Sequence, residues 1–285
     1  MDGELLEYNR RQLQTQFNLR PFYVKHALRE HPLFDIQRLL KLSQSLPPEN
    51  IEYNSGILAV NQDPKLTPMN GLSAAETIAR IRDCQSWLVM KFVETDPEYR
   101  DLLHLLLKDI VRDTADIAPG ARRFLGFIFI SSPGAVTPFH MDGEHNFLLQ
   151  VRGTKTMHVW TPDDRYVLTQ EQLERFHTLH PQRNLPYDPS YDASAMKLFL
   201  QPGNGIHVPV TAPHWVKVGD EVSISFSITF RSRISAQSAF VYRNASRIRR
   251  LGLSPPDAGR FPLLERSLFV LSGAWRGLRG VREEA

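Results

Sequence analysis

Three patterns of apolar and polar residues follow one another along the chain. In the first, apolar positions recur at helical spacing. Phe34, Ile36, Leu39, Leu40 and Leu42 predict a helix that stops before Pro47-Pro48. Ser73 with Glu76 three residues on has the form of a capping box, and predicts a helix running to Cys84. Leu102, Leu103, Leu106, Leu107 and Ile110 form one apolar face of a helix from about Pro97 to Arg112. The front, 1–122, therefore reads as a helical flank.

The pattern changes at Arg123. Short runs rich in β-branched and aromatic residues predict strands at 124–130, 137–142, 146–151, 155–160, 196–200, 205–209, 214–218 and 222–230. Arg152-Gly153, Pro202-Gly203-Asn204-Gly205 and Gly219-Asp220 supply turns between them. Short strands with such turns predict an antiparallel barrel or jelly roll over 123–231. A polar, partly helical insertion interrupts it at about 161–195. Helical patterning returns in 232–285, broken at Pro255-Pro256. The expected plan is a mainly β core with helical flanks, in a single domain.

Composition narrows the picture. Lys and Arg number 34 against 31 Asp and Glu, hydrophobic residues make up 42%, and there is one cysteine. One cysteine excludes a disulfide framework and a cysteine-cluster zinc site. No apolar run has the length needed to span a bilayer, and MDGELLEYNRR is no signal peptide, so a cytoplasmic setting is expected. The net charge of +3 is unevenly spread. From Arg231 onward eleven Arg face four acids, which leaves the preceding residues at −4. These Arg interleave with Phe240, Val241, Ile248, Leu251, Leu263, Leu264 and Leu268, which suits helix surfaces around an apolar stripe better than a nucleic-acid arm.

The candidate chemistry sits in Thr137-Pro138-Phe139-His140-Met141-Asp142. On a strand, residues i and i+2 share a face, which would place His140 beside Asp142. His214 begins a later strand. Two His and one carboxylate make the facial triad of non-haem Fe(II) oxygenases, with three coordination positions open. The competing reading of His140 and Asp142 is a satisfied polar pair in a turn. Lys155 opens an otherwise apolar strand. It either snorkels outward or points inward, where its ammonium needs an anion.

The stretches TPFHMDGEHNFLLQVRGTK, PGNGIHVPVTAPHWV and VSISFSITF together resemble the cupin-like branch of the JmjC-type Fe(II)/2-oxoglutarate oxygenases, nearest to the asparaginyl hydroxylase of hypoxia-inducible factor. The likeness covers roughly 123–231. It implies a double-stranded β-helix with Fe(II) held by His140, Asp142 and His214. It also implies 2-oxoglutarate held by Lys155 and the Thr137 hydroxyl, with O₂ as the second co-substrate. Asn146 and Ser227 match positions where that hydroxylase carries asparagines near the co-substrate. Asn146 keeps the residue type and Ser227 departs from it.

The resemblance implies hydroxylation of a C–H bond, first of a protein or peptide side chain and next of a small molecule or natural product. Two other classes stand beside it: a non-catalytic cupin-like scaffold, and a metal-dependent cupin working without 2-oxoglutarate. Related hydroxylases pair through C-terminal helices, so a homodimer is expected, against intramolecular packing of the same apolar surface.

Several further residues carry expectations. Ser223, Ser225 and Ser227 share a strand face and would line the pocket, unless that strand is an exposed edge. Glu144 is expected at the rim and His145 facing away from the metal. His207 is either a support for the site or a packed core residue. His177 and His180, three apart, lack visible zinc partners. Trp215 is expected to pack on the barrel, and Tyr53 and Trp87 are candidates for the pocket lid.

Overall fold

The computed structural model describes residues 5–178 and 183–278. Twelve strands and seven α-helices occur among them. In chain order they begin with β1 (Leu6–Glu7), α1 (Arg10–Gln16), β2 (Phe22–His26), α2 (Ile36–Ser45), β3 (Ile51–Ser55), α3 (Ala74–Ala79), β4 (Ser86–Lys91) and α4 (Pro97–Asp113). The middle of the chain forms β5 (Arg122–Ser131), β6 (Val136–His140), β7 (His145–Arg152), β8 (Lys155–Val159) and α5 (Gln170–Phe176). Then come β9 (Met196–Leu200), β10 (Asn204–Val208), β11 (His214–Val218), β12 (Ser223–Arg231), α6 (Arg233–Arg250) and α7 (Pro262–Leu278).

The strands make two sheets. The larger has the order β1-β2-β10-β7-β12-β5-β4-β3 and the smaller β6-β11-β8-β9, with neighbouring strands antiparallel throughout. This is a jelly-roll plan, built as two facing sheets and not as a closed barrel.

The large sheet is covered on both faces. On one, Ile128, Ile130, Phe147, Leu149, Phe226 and Ile228 pack against Leu39 and Leu42 of α2 and Leu103, Leu106, Leu107 and Ile110 of α4. Asp96 caps α4 by accepting from the Glu98 N–H, and Pro97 at its first position sacrifices no hydrogen bond. Each fully buried leucine or isoleucine contributes about 1.5–3 kcal/mol. On the other face, Leu148, Ile206 and Val208 meet Met157, Val159 and Val216 of the small sheet. Doubly covered strands lose polar alternation, and β12 is accordingly buried from Ser223 to Phe230.

The sequence pattern is corrected in three places. The front is not only helical: it contributes β1 to β4 to the large sheet. Its short strands are stabilised by neighbours distant in sequence, as where β2 pairs with β10. Helix α3 keeps its capping box but ends at Ala79, where turns carry the chain through Cys84 into β4. Strand β6 ends at His140, so Asp142 lies beyond it. The partly helical insertion docks on the core, where Leu173, Phe176 and Leu185 pack with Phe139, Met141, Trp160 and Tyr242 of α6. No helix among the described residues is long and apolar enough to cross a membrane.

Candidate metal centre

Antiparallel pairing of β6 with β11 places His140 opposite His214, with ring centroids 4.2 Å apart. Each ring is oriented by its own backbone. His140 Nδ1–H donates to the Pro138 carbonyl at 2.8 Å, and His214 Nδ1–H to that of Ala212 at 2.9 Å. A carbonyl can only accept, so the neutral rings carry their protons on Nδ1 and leave the Nε2 lone pairs free.

Asp142 is brought in by the turn after β6, where its carbonyl accepts from the Thr211 N–H at 2.7 Å. Its Oδ2 lies 3.9 Å from His140 Nε2 and 3.8 Å from His214 Nε2. One ligand atom from each residue falls within 4.8 Å of the others.

Electrostatics set the protonation states that a metal needs. Burial, aided by the neighbouring His214, pushes the His140 pKa down to about 3. Burial also lowers His214, with Asp142 opposing. For Asp142, burial favours the neutral acid, but Arg183 and the two imidazoles outweigh it and hold the carboxyl below its ordinary range. Two neutral imidazoles and a carboxylate are therefore ready at neutral pH. This donor set fits a divalent metal with open coordination positions.

Thr137 depends on an irregularity. On β11, His214 and Val216 are two apart, but their β6 partners His140 and Thr137 are three apart. The extra residue is a β-bulge at Pro138-Phe139. It reverses the parity of β6, so Thr137 and His140 share a face although simple alternation would oppose them.

Lys155 points inward and is 5% exposed. Gly153, at φ +65°, makes the tight turn that delivers it, and a Cβ there would lie 2.3 Å from the Val222 carbonyl oxygen. Across the small sheet, Val159 opposes His214, Met157 opposes Val216, and Lys155 opposes Val218. Four residues separate the Val159 and Lys155 rungs, about 13 Å at roughly 3.3 Å per residue. Thr137, opposite Val216, sits on the rung between. The ammonium lies 5.7 Å from the Phe129 ring, and among the described residues no hydrogen bond or ion pair reaches it. Burial pushes its pKa down to about 7.

Asn146 and Ser227 are also brought together, with Ser227 Oγ donating to Asn146 Oδ1 at 2.8 Å. Ser223 and Ser225 are buried on a central strand, which removes the exposed-edge alternative. Gln150 joins them: its Nε2 donates to Ser223 Oγ at 2.8 Å, and its Oε1 accepts from Ser225 Oγ at 2.6 Å.

Other candidates lie apart. Glu144 accepts from Arg231 at 2.7 Å. His145 and His207 stack on Phe17 beneath the helical layer, which makes His207 a packed core residue. His177 stacks on Tyr242, and His180 lies outside the described residues. Trp215 covers the outside of the small sheet, stacked on His158 at 3.9 Å. Trp87 shares the inner face with Phe129, at 6.1 Å. Tyr53 instead joins the helix-backed core, so it is no lid for the pocket.

Sequence reasoning missed Arg183. It comes from the insertion, and its guanidinium donates to Asp142 Oδ1. Nothing local in a polar stretch signals a contact that spans 41 residues.

The cupin-like domain family matches residues 47–236. Lysine-specific demethylase 8 of Danio rerio is 30% identical over 102 residues, a match that spans 34% of this chain and 24% of that protein. Among solved structures, E. coli ycfD superposes with a TM-score of 0.52 at 19% identity, covering 94% of this chain and 68% of that one. A second structure, YcfD as a ribosomal oxygenase from Escherichia coli in complex with cobalt and 2-oxoglutarate, has a TM-score of 0.48 at 16% identity over 88% of this chain and 58% of that one. At these identities the structural likeness is one of fold.

Proposed function

The chain belongs to the cupin-like domain family, and from that premise we propose that it is an Fe(II)- and 2-oxoglutarate-dependent oxygenase that hydroxylates a C–H bond of a protein or peptide side chain. One observation carries the reading. A His-Asp-His set with free Nε2 atoms and an inward ammonium without a counter-ion occupy two levels of the same interior. A buried cation without an anion is costly, so the site asks for an anionic ligand. A short dicarboxylate spanning from the metal to Lys155 meets both demands.

In this reading His140, His214 and Asp142 hold Fe(II), and Lys155 with Thr137 holds the distal carboxylate of 2-oxoglutarate. Asn146 and Ser227 lie beside the co-substrate. Bound iron with 2-oxoglutarate would supply O₂ activation and oxidation of the substrate C–H. The chain's own part is to fix the donor set and to pair the carboxylate in a water-poor interior, where such pairing is strong. A protein substrate is favoured by the partial match to a lysine-specific demethylase. A small-molecule substrate is the second reading. A retired scaffold has no chemical need for three preset ligands and an unpaired lysine. The cytoplasmic setting belongs to the same reading.

A homodimer through the C-terminal helices is part of the proposal. Leu263 and Leu271 of α7 are 81% and 64% exposed, and Leu264 and Leu268 lie on the same helix. Light scattering at micromolar concentration should give twice the chain mass, and a monomer overturns this part.

The activity is tested by aerobic turnover of 2-oxoglutarate to succinate with added Fe(II), and by mass spectrometry of candidate peptides for one added oxygen atom. The double variant His140→Ala, Asp142→Ala should lose both. Turnover that survives in it, or a wild-type protein that binds no divalent metal, refutes the reading.

A further inference from the structure

Residues 183–185 run along β6 on the side away from β11. Met141 N–H donates to the Arg183 carbonyl at 3.0 Å, Leu185 N–H donates to that of Phe139 at 3.1 Å, and Asn184 bridges to His140. The backbone of Arg183 is thus tied to the residues on both sides of His140. Behind it, Leu185 is buried against Phe139, and Glu174 of the insertion is bonded to Arg249 of α6 at 2.8 Å. The base of the Arg183 side chain is fixed by the same elements that fix the ligands.

Among the described residues its guanidinium has one partner, Asp142. The nearby carboxylates have other partners: Glu144 pairs with Arg231, and Glu52 with Lys91 at 2.6 Å. Arg183 donates to Asp142 Oδ1, while Oδ2 faces the two Nε2 atoms. A carboxylate turns readily about its terminal torsion, so its two oxygens can exchange roles. A donor held on one oxygen removes that freedom.

We propose that Arg183 is a positioning residue of the metal centre, holding Asp142 Oδ1 so that Oδ2 alone is presented as a ligand atom. This rests on the metal-centre reading above. The arrangement also explains why a conserved-charge replacement would not be equivalent: a planar guanidinium fixes direction where an ammonium supplies a point charge. Repulsion between Arg183 and a dication works against binding, and the Asp142 carboxylate between them offsets it.

The test is Mn(II) affinity of the metal-free chain, read by titration calorimetry or electron paramagnetic resonance. Loss of a partner that orients a ligand typically weakens metal binding by about 10–100-fold, and Arg183→Met should fall in that range. Arg183→Lys should recover part of the loss. Affinity for 2-oxoglutarate at saturating Mn(II) and the thermal midpoint should stay near wild type, because the Arg183 side chain is 59% exposed. Unchanged Mn(II) affinity in Arg183→Met overturns the inference. Tighter binding also overturns it, and makes Arg183 a competitor of the metal. His140→Ala separates the two levels: if it binds Mn(II) as wild type does, the metal centre itself is wrong and the positioning role falls with it.

Discussion

Raising the pH through the neutral range should release 2-oxoglutarate, and Lys155 sets the size of the effect. In the empty protein burial holds its pKa at about 7, against an ordinary 10.5. A bound carboxylate restores the ammonium, so above about pH 7 each binding event takes up one proton. Well above that pKa each pH unit costs about 1.4 kcal/mol; because the lysine is already half deprotonated at about pH 7, going from there to about pH 8.5 weakens binding by about 1.6 kcal/mol, or about 16-fold. Stability follows the same linkage. With the folded pKa depressed, the unfolded chain binds more protons between about 7 and 10.5, so the empty protein gains stability as pH rises through that window. Lys155→Met should flatten both dependences and weaken binding near pH 7 by about 1.5–3 kcal/mol, the worth of a charge-assisted hydrogen bond. Titration calorimetry of Mn(II)-loaded protein, in buffers of different ionisation heat, counts the protons directly. Wild-type affinity that is flat from about pH 7 to about pH 8.5, without proton uptake, refutes the reasoning.

Two further predictions concern the buried polar groups. Gln150→Leu strands the Ser223 and Ser225 hydroxyls, at about 1–3 kcal/mol each, and urea unfolding should show a loss near their sum; a neutral outcome means water replaces the amide. His207 lies between Phe17 and Phe22 with both ring nitrogens unpartnered, and burial holds its pKa well below 6.5. Its contribution is therefore lost as pH falls below 6.5, and His207→Phe should gain on wild type by about 1.4 kcal/mol per pH unit there. Parallel loss of stability in both proteins from about pH 6 to about pH 5 contradicts this.

The residues whose signal is local could be read from the chain. His140, Asp142, Lys155 and His214 lie in or beside short apolar runs bounded by turns, and the strands that bear them were found within a residue or two. Thr137 was placed by resemblance, because counting alternate residues would have turned it away; the bulge that rescues it is visible only in the register against β11. Strands β2 to β4 went unseen because their pairing partners, not their own composition, make them strands. Arg183 was missed for the same reason at the level of a side chain. Its role is defined by Asp142, and the intervening insertion docks through Leu173, Phe176 and Leu185 before the two meet.

The pairing of β2 with β10 also separates what is shared from what can stand alone. A polypeptide cut at 47 and 236, the bounds of the family match, would keep every proposed ligand and lose β1, β2, α1, α2, most of α6 and all of α7. The β10 edge would then show its backbone donors and acceptors to solvent, a template for joining other chains. Phe17 and Phe22 would leave with the cut, opening His145 and His207 to water. The folded unit is thus longer than the family match, and β2 with α1 covers both a sheet edge and two buried histidines that the matched segment alone would leave open.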